Sequence, residues 1–166
     1  MRVVRQAEDR DFERIVEVEQ AAYGGAHSIR AQARDHLSAF PAGLFVDWKG
    51  RGYIMTLMVE KNQDLFDLKH CTGHDYLFIT NVAVHPDHQG KGLGRRLVQH
   101  ALDHFKLPGL LCVDPANDGA IALYKKMQFR KCGTVYRYFG GDGEASTHGN
   151  VMRQPIRLVA HKQHPV

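Results

Sequence analysis

The chain has 166 residues, of which 43% are apolar and 24% charged. A chain of this size buries roughly two-thirds of its unfolded surface, so one domain can stand without a disulfide or metal staple, and the composition excludes disordered, collagenous and repeat architectures. The 22 Lys and Arg against 18 Asp and Glu leave a net charge of +4, and eleven His add to it in mildly acid solution, which favours an anionic partner without naming one.

Val3 to Gln6 reads as a short first strand. From Asp11 the apolar residues Phe12, Ile15, Val16 and Ala22 recur at helical spacing until Gly24-Gly25, and Ile29, Ala33, Leu37 and Phe40 repeat the pattern before Pro41, which predicts two helices. Gly43 to Trp48 and Tyr53 to Glu60 are β-rich runs around Lys49-Gly50-Arg51-Gly52, a turn whose glycines permit positive φ, and predict an antiparallel hairpin. Lys61 to Asp75 is then a long connection, of a kind that is often functional or mobile; Asp64, Asp67 and Asp75 beside Leu65, Phe66 and Leu68 suit a cationic amine with an apolar body, or simply a solvated loop. Tyr76 to Val84 is the next strand, Gly92 to Phe105 a helix, Leu110 to Val113 a strand and Asn117 to Met127 a helix. Thr134 to Tyr138 and Val151 to Leu158 form a final strand pair. Alternating elements in the middle and hairpins at both ends imply a mixed α/β sheet with helices on its faces, one domain over residues 1–158, and a mobile tail over 159–166.

The stretch from Val82 to Arg96 is the most informative, because Gly90, Gly92 and Gly94 alternate where a strand meets an amphipathic helix. Exposed N–H groups at a helix N-terminus make an anion site, and Lys91, Arg95 and Arg96 add positive charge; a phosphate is the natural occupant, and a plain tight turn is the alternative. A dinucleotide fingerprint fails in both registers, at Arg95 and at Leu97, and a P-loop is absent.

Gln89-Gly90-Lys91-Gly92-Leu93-Gly94 resembles the Q/R-x-x-G-x-G/A signature of the GNAT superfamily of N-acetyltransferases. Asn117-Asp118-Gly119-Ala120-Ile121-Ala122-Leu123-Tyr124-Lys125-Lys126-Met127-Gln128-Phe129 is similar to a second block of that family, with Gln128 in place of the usual Gly. The likeness is clear from Tyr76 to Phe129. It continues more weakly, toward ribosomal-protein N-terminal acetyltransferases, through Tyr136-Arg137-Tyr138-Phe139 to Met152 and Pro155.

The resemblance implies a mostly antiparallel mixed sheet of about seven strands with about four helices, and acetyl-CoA as co-substrate. It implies binding of the acetyl-CoA pyrophosphate by Gly90, Lys91, Gly92, Leu93, Gly94 and Arg95 after Gln89, and of the pantetheine arm by the backbone of Val82, Ala83 and Val84. Asn117 matches a further cofactor contact, and Tyr124 the general acid that protonates the departing thiolate; a tyrosine packed in the core is the alternative for Tyr124. The acceptor would be an amine-bearing one, a peptide N-terminus or a small amine such as a polyamine or arylalkylamine, attacking directly in a ternary complex. The usual general bases are missing: their positions hold Cys112, Phe78 and Thr80. His74, His85, Asp114 or a water chain are stand-ins, and Cys112 is expected to be a buried structural thiol and not an acetyl carrier. At pH 7 an α-amine is neutral in about one molecule in ten and a lysine in about one in 2,500, a gap of roughly 3 kcal/mol, so an α-amine tolerates a missing base better. A catalytically weak acyl-CoA sensor is the rival reading.

Cys71, Cys112 and Cys132 are odd in number with no CxxC, which suits a reducing compartment; without a signal-like or membrane-spanning apolar run the chain is expected in the cytoplasm, with no membrane partner. His70-Cys71-x-x-His74 and the pair His100, His104 fall short of a metal site, and His161 and His164 belong to the tail. The basic charge is spread and carries no nucleic-acid motif, so no nucleic-acid partner is expected, and the chain is taken as a monomer or homodimer.

Overall fold

The computed structural model describes residues 4–24, 26–61, 63, 74–139 and 147–155. Its elements run β1 (Val4–Gln6), α1 (Phe12–Tyr23), α2 (Ala26–Ala39), β2 (Leu44–Asp47), β3 (Gly52–Val59), β4 (Tyr76–Val84), α3 (Leu93–Phe105), β5 (Gly109–Val113), α4 (Asp118–Lys126), β6 (Arg130–Phe139) and β7 (Thr147–Arg153). The expected seven strands and four helices are present. The acidic cluster Asp64 and Asp67, with Leu65, Phe66 and Leu68, lies outside the described residues, as do His70, Cys71 and the tail with His161 and His164.

The seven strands form one sheet in the order β1-β2-β3-β4-β5-β7-β6. Every neighbouring pair is antiparallel except β4 and β5, whose parallel pairing needs the crossover that α3 supplies. Side chains alternate between two faces. Phe45 and Ile54 join Leu97, Leu111, Tyr124 and Phe129 in a core beneath α3 and α4. Leu44, Val46, Tyr53 and Met55 instead meet Ile15, Val16 and Ala33 beneath α1 and α2. Helices thus cover both faces, and α3 earns its place with Leu93, Leu97, Val98, Ala101 and Leu102 on one stripe.

Two boundaries differ from the sequence expectation. The last strand begins four residues before Val151 and ends at Arg153 instead of running to Leu158, and β6 is ten residues long. The turn at Arg153 follows from Gln154: its Oε1 accepts from the Gly109 N–H at 3.1 Å while its Nε2 donates to the Met127 carbonyl at 2.8 Å. That clasp ties the start of β5 to the end of α4. In the β2–β3 turn only Gly50 takes positive φ; Gly52 already belongs to β3.

Gln128, where the resemblance expects glycine, stands at φ +69° just after α4. A left-handed conformation costs a side-chain-bearing residue about 1–2 kcal/mol, and glycine returns about half of that as lost unfolded-state freedom. Gln128→Gly should therefore stabilise the fold by up to about 1 kcal/mol, a rise of roughly 2–4 °C in Tm by calorimetry.

Candidate functional site

The site begins where the sheet splits. β4 pairs with β5 only at Leu77–Gly109, Phe78–Leu110 and Ile79–Leu111, after which the two strands part. On its other side β4 stays with β3 but slips register: Thr56 faces Ile79 and Met55 faces Asn81, so Thr80 is the extra residue of a β-bulge, its Oγ1 donating to the Met55 carbonyl at 3.1 Å. A cavity of about 630 Å³ opens between the parted strands, and Glu19, Tyr23, Asn81, Val82, Cys112 and Tyr124 are among the residues that line it.

Past the bulge, the Val82 carbonyl accepts from the Tyr23 hydroxyl at 2.9 Å and the Val84 carbonyl from Gln89 Nε2 at 2.9 Å. Both acceptors are met from outside the β3 ladder. By strand alternation the main chains of Val82 and Val84 turn toward the gap and that of Ala83 toward Tyr53 on β3.

The glycine loop continues from this strand end. Gly90 and Gly92 have φ of +72° and +76°, which only glycine adopts at low cost, and Gly92 caps α3 with no side-chain bond. Arg96 N–H makes the first helical bond, to the Gly92 carbonyl, so the amides of Leu93, Gly94 and Arg95 have no acceptor within the helix. Gly94 is a different case: a methyl there would make ordinary contacts with Leu123 and Val84, so the surrounding chain does not itself demand glycine. Lys91 Nζ donates to the Asp87 carbonyl at 2.8 Å and Arg96 reaches the Lys91 carbonyl, which fastens the loop. Leu93 is buried, leaving only its main chain for a ligand, and Arg95 lines a separate recess with Lys106 and Lys126.

Two expected side chains enter the cavity from α4. Asn117 is the N-cap of that helix, its Oδ1 accepting from the Ala120 N–H at 3.0 Å. Tyr124 is 8% exposed and packs on Phe129, and burial, with Tyr23 facing it, pushes its phenol upward and holds the proton on. Cys112 lines the cavity too, but burial raises its thiol to about 12, leaving almost no nucleophilic thiolate at neutral pH.

The stand-in bases sort by position. His74 is exposed and does not line the cavity; neither does His85, whose Nδ1 accepts from the Asp87 N–H and stands 3.6 Å from that residue's carboxylate. Asp114 lines it, with Oδ1 accepting from the Ala116 N–H at 2.8 Å in the turn before α4. The pair His100 and His104 sets both rings edge-on to Phe45, and among the described residues no three His, Cys, Asp or Glu gather around one point. No helix among them is long and apolar enough to cross a membrane.

The carboxylate that sequence reasoning missed is Glu19. It lies on the buried face of α1, three residues after Val16 and four after Ile15, only 8% exposed. Oε2 accepts from the Tyr53 hydroxyl at 2.5 Å and Oε1 from Asn81 Nδ2 at 3.3 Å. Burial raises its pKa, and the two hydrogen bonds only partly offset this. The signal was in the letters: a charged residue on an apolar stripe of helical period.

The acetyltransferase (GNAT) family matches residues 3–129 of the chain. The [ribosomal protein bS18]-alanine N-acetyltransferase of Salmonella typhimurium is 32% identical over 88 residues, covering 51% of this chain and 59% of that protein. The chain therefore spans somewhat over half the length of the curated relative it matches. The protein of the same name from Haemophilus influenzae is 27% identical over 143 residues, 84% of this chain and 88% of that one. Among solved structures, the ribosomal-protein-S18-alanine N-acetyltransferase of Escherichia coli superposes with a TM-score of 0.74 at 22% identity over 99% of both chains. Naa20 of Chaetomium thermophilum, in complex with a bisubstrate analogue, gives 0.72 at 23% identity over 92% of this chain and 86% of that one. At these identities the superpositions speak for the fold.

A carboxyl raised by folding stabilises the protein fully below its unfolded value, near 4.3, and that contribution is lost as pH climbs through the raised value. The Tm of the unaltered chain should accordingly fall more between pH 4.5 and 7 than that of Glu19→Gln, by scanning calorimetry. Parallel curves would show that Glu19 titrates normally.

Proposed function

We propose, from the premise that this chain belongs to the acetyltransferase (GNAT) family, that it moves an acetyl group from acetyl-CoA to the α-amine of a peptide or protein N-terminus. The observation that carries this reading is one cavity lined by both Val82, on the edge of β4 that β5 has left, and the buried phenol of Tyr124, with the amide-rich start of α3 following in the chain from the end of that same strand.

In this reading Gly90, Lys91, Gly92, Leu93, Gly94 and Arg95 offer main-chain amides to the diphosphate, and the positive end of α3 adds to the attraction. Gly94 then keeps the backbone open to the ligand. Val82 and Val84 pair with the amides of the pantetheine arm as an added strand would, exchanging the bonds they now make to Tyr23 and Gln89. Ala83 serves by holding β4 to β3, and Asn117 by fixing the start of α4 beside the arm. A main-chain N–H at the bulge can stabilise the oxyanion as the amine attacks.

Tyr124 meets the departing sulfur. A thiol near pKa 8.5 is more acidic than a phenol raised above its usual 10, so the tyrosine acts first as a strong hydrogen-bond donor and gives up its proton only as the C–S bond finishes breaking. Cys112 stays outside the chemistry because its thiol is held protonated. Transfer is therefore direct, in a ternary complex. The recess beside the bulge, about 380 Å³ and lined by Phe40, Met55, Leu57 and Thr80, accommodates the body of the acceptor; Thr80 lines both cavities.

Release of CoA thiol on mixing acetyl-CoA with peptides bearing free N-termini tests the reading, with lysine peptides, polyamines and arylalkylamines as comparisons. Activity confined to lysine side chains would overturn the α-amine assignment, and tight cofactor binding without release to any amine would make the protein an acyl-CoA sensor. Tyr124→Phe should lower kcat by roughly 10- to 10⁴-fold with little change in cofactor affinity. Cys112→Ala should retain acetyl transfer; its loss would restore an acetyl-thioester route.

A further inference from the structure

The acetyl-transfer reading leaves the proton on the attacking nitrogen without an acceptor, since Phe78, Thr80 and Cys112 stand where a base is expected. Position removes the two histidines, and the bond made by its carboxylate sets Asp114 aside. His74 and His85 do not line the cavity, and Asp114 is engaged in the turn that starts α4. The remaining carboxylate in the cavity wall is Glu19, delivered from α1 across the face of the sheet opposite α3 and α4.

Resting on that reading, we propose that Glu19 is the general base of the reaction. The amine enters neutral, its nitrogen bonds to the thioester carbonyl carbon, and the C–S bond breaks. Glu19 takes the proton from that nitrogen while Tyr124 gives its own to the sulfur, and solvent returns the proton from Glu19 to Tyr124, so the cycle closes with an amide and a thiol. Acid and base come from different helices on opposite faces of the sheet, α4 and α1, and meet only in the gap between β4 and β5.

The surroundings suit the task. Three groups face Glu19: Tyr53 from β3 and Asn81 from the bulge of β4 donate to it, and Tyr23 stands one turn along its own helix. None is a cation, so among the described residues nothing neutralises the carboxylate as an ion pair would. Tyr53 and Asn81 fix its plane, and the bulge at Thr80 is what carries Asn81 into range. A purely structural acid in this wall would gain from an arginine or lysine partner; this one is left with hydrogen bonds alone and a raised affinity for protons.

The test compares the unaltered chain with Glu19→Gln and Glu19→Asp, using acetyl-CoA, a free-N-terminus peptide and a pH series. Glu19→Gln should reduce kcat by about 10²- to 10⁴-fold with acetyl-CoA affinity unchanged, and its acid limb of kcat/KM should lose one of two ionisations. Glu19→Asp should restore that ionisation and part of the rate. An unchanged acid limb, with any loss confined to KM or to Tm, would make Glu19 a buried structural acid and overturn the proposal. Thiol release absent from the unaltered chain with every amine would instead overturn the acetyl-transfer reading beneath it, and this proposal with it.

Discussion

Everything functional in this fold follows from one failure of strand pairing. β4 is bonded to β3 along its length but to β5 over only three residues, because beyond Ile79 and Leu111 the two parallel strands diverge around the bulge at Thr80. Parting two central strands leaves main-chain donors and acceptors unmet inside the protein, a state that persists only if other groups meet them. Here a tyrosine hydroxyl and a glutamine amide hold two of the carbonyls, and both are groups that a ligand can displace. The slot is thus a sheet with one strand left out, which is why an amide-bearing chain suits it.

The same burial gives three side chains different characters. It drives the Cys112 thiol up to about 12 and so removes a nucleophile. It keeps the Tyr124 phenol protonated and so preserves a donor. It raises Glu19 and so makes a weak base stronger. Desolvation disfavours whichever form is charged, and the outcome depends only on whether the neutral form is the acid needed or the base to be avoided.

Local chemistry was legible in the letters and long-range register was not. The loop from Gln89 to Gly94 and the block from Asn117 to Phe129 announce themselves because each works through contiguous backbone: positive φ at Gly90 and Gly92, and a cap at Asn117. The bulge at Thr80 leaves no mark in the sequence, since it is a relation between β4 and β3 and not a property of either. The insertion of β7 between β5 and β6 is equally silent, for consecutive strands usually pair and nothing in Val151 to Leu158 says which neighbour wins. Glu19 is intermediate. Counting apolar positions along α1 passes over it, although a carboxylate three and four residues from Val16 and Ile15 has to be buried with partners or hold a function.

The division between backbone-built and side-chain-built halves also bears on the acceptor. In the proposed reading the half given to the cofactor consists mostly of main chain, so many sequences can form it. The half that the same reading gives to the amine is assembled from α1, β3, the bulge and α4, elements distant in the chain. Selectivity for an acceptor must then come from this second half, and its most restrictive demand is electrostatic. An amine entering a wall whose two carboxylates, Glu19 and Asp114, are already hydrogen-bonded, with no lysine or arginine among the described residues that line it, does best when it is already neutral, which favours an α-amine near pKa 8 over lysine by roughly 3 kcal/mol before any shape is considered. With Glu19 as the proposed base, basicity of the acceptor and burial of that carboxylate are two sides of one constraint: the less proton the substrate brings, the weaker the base the protein has to keep in its core.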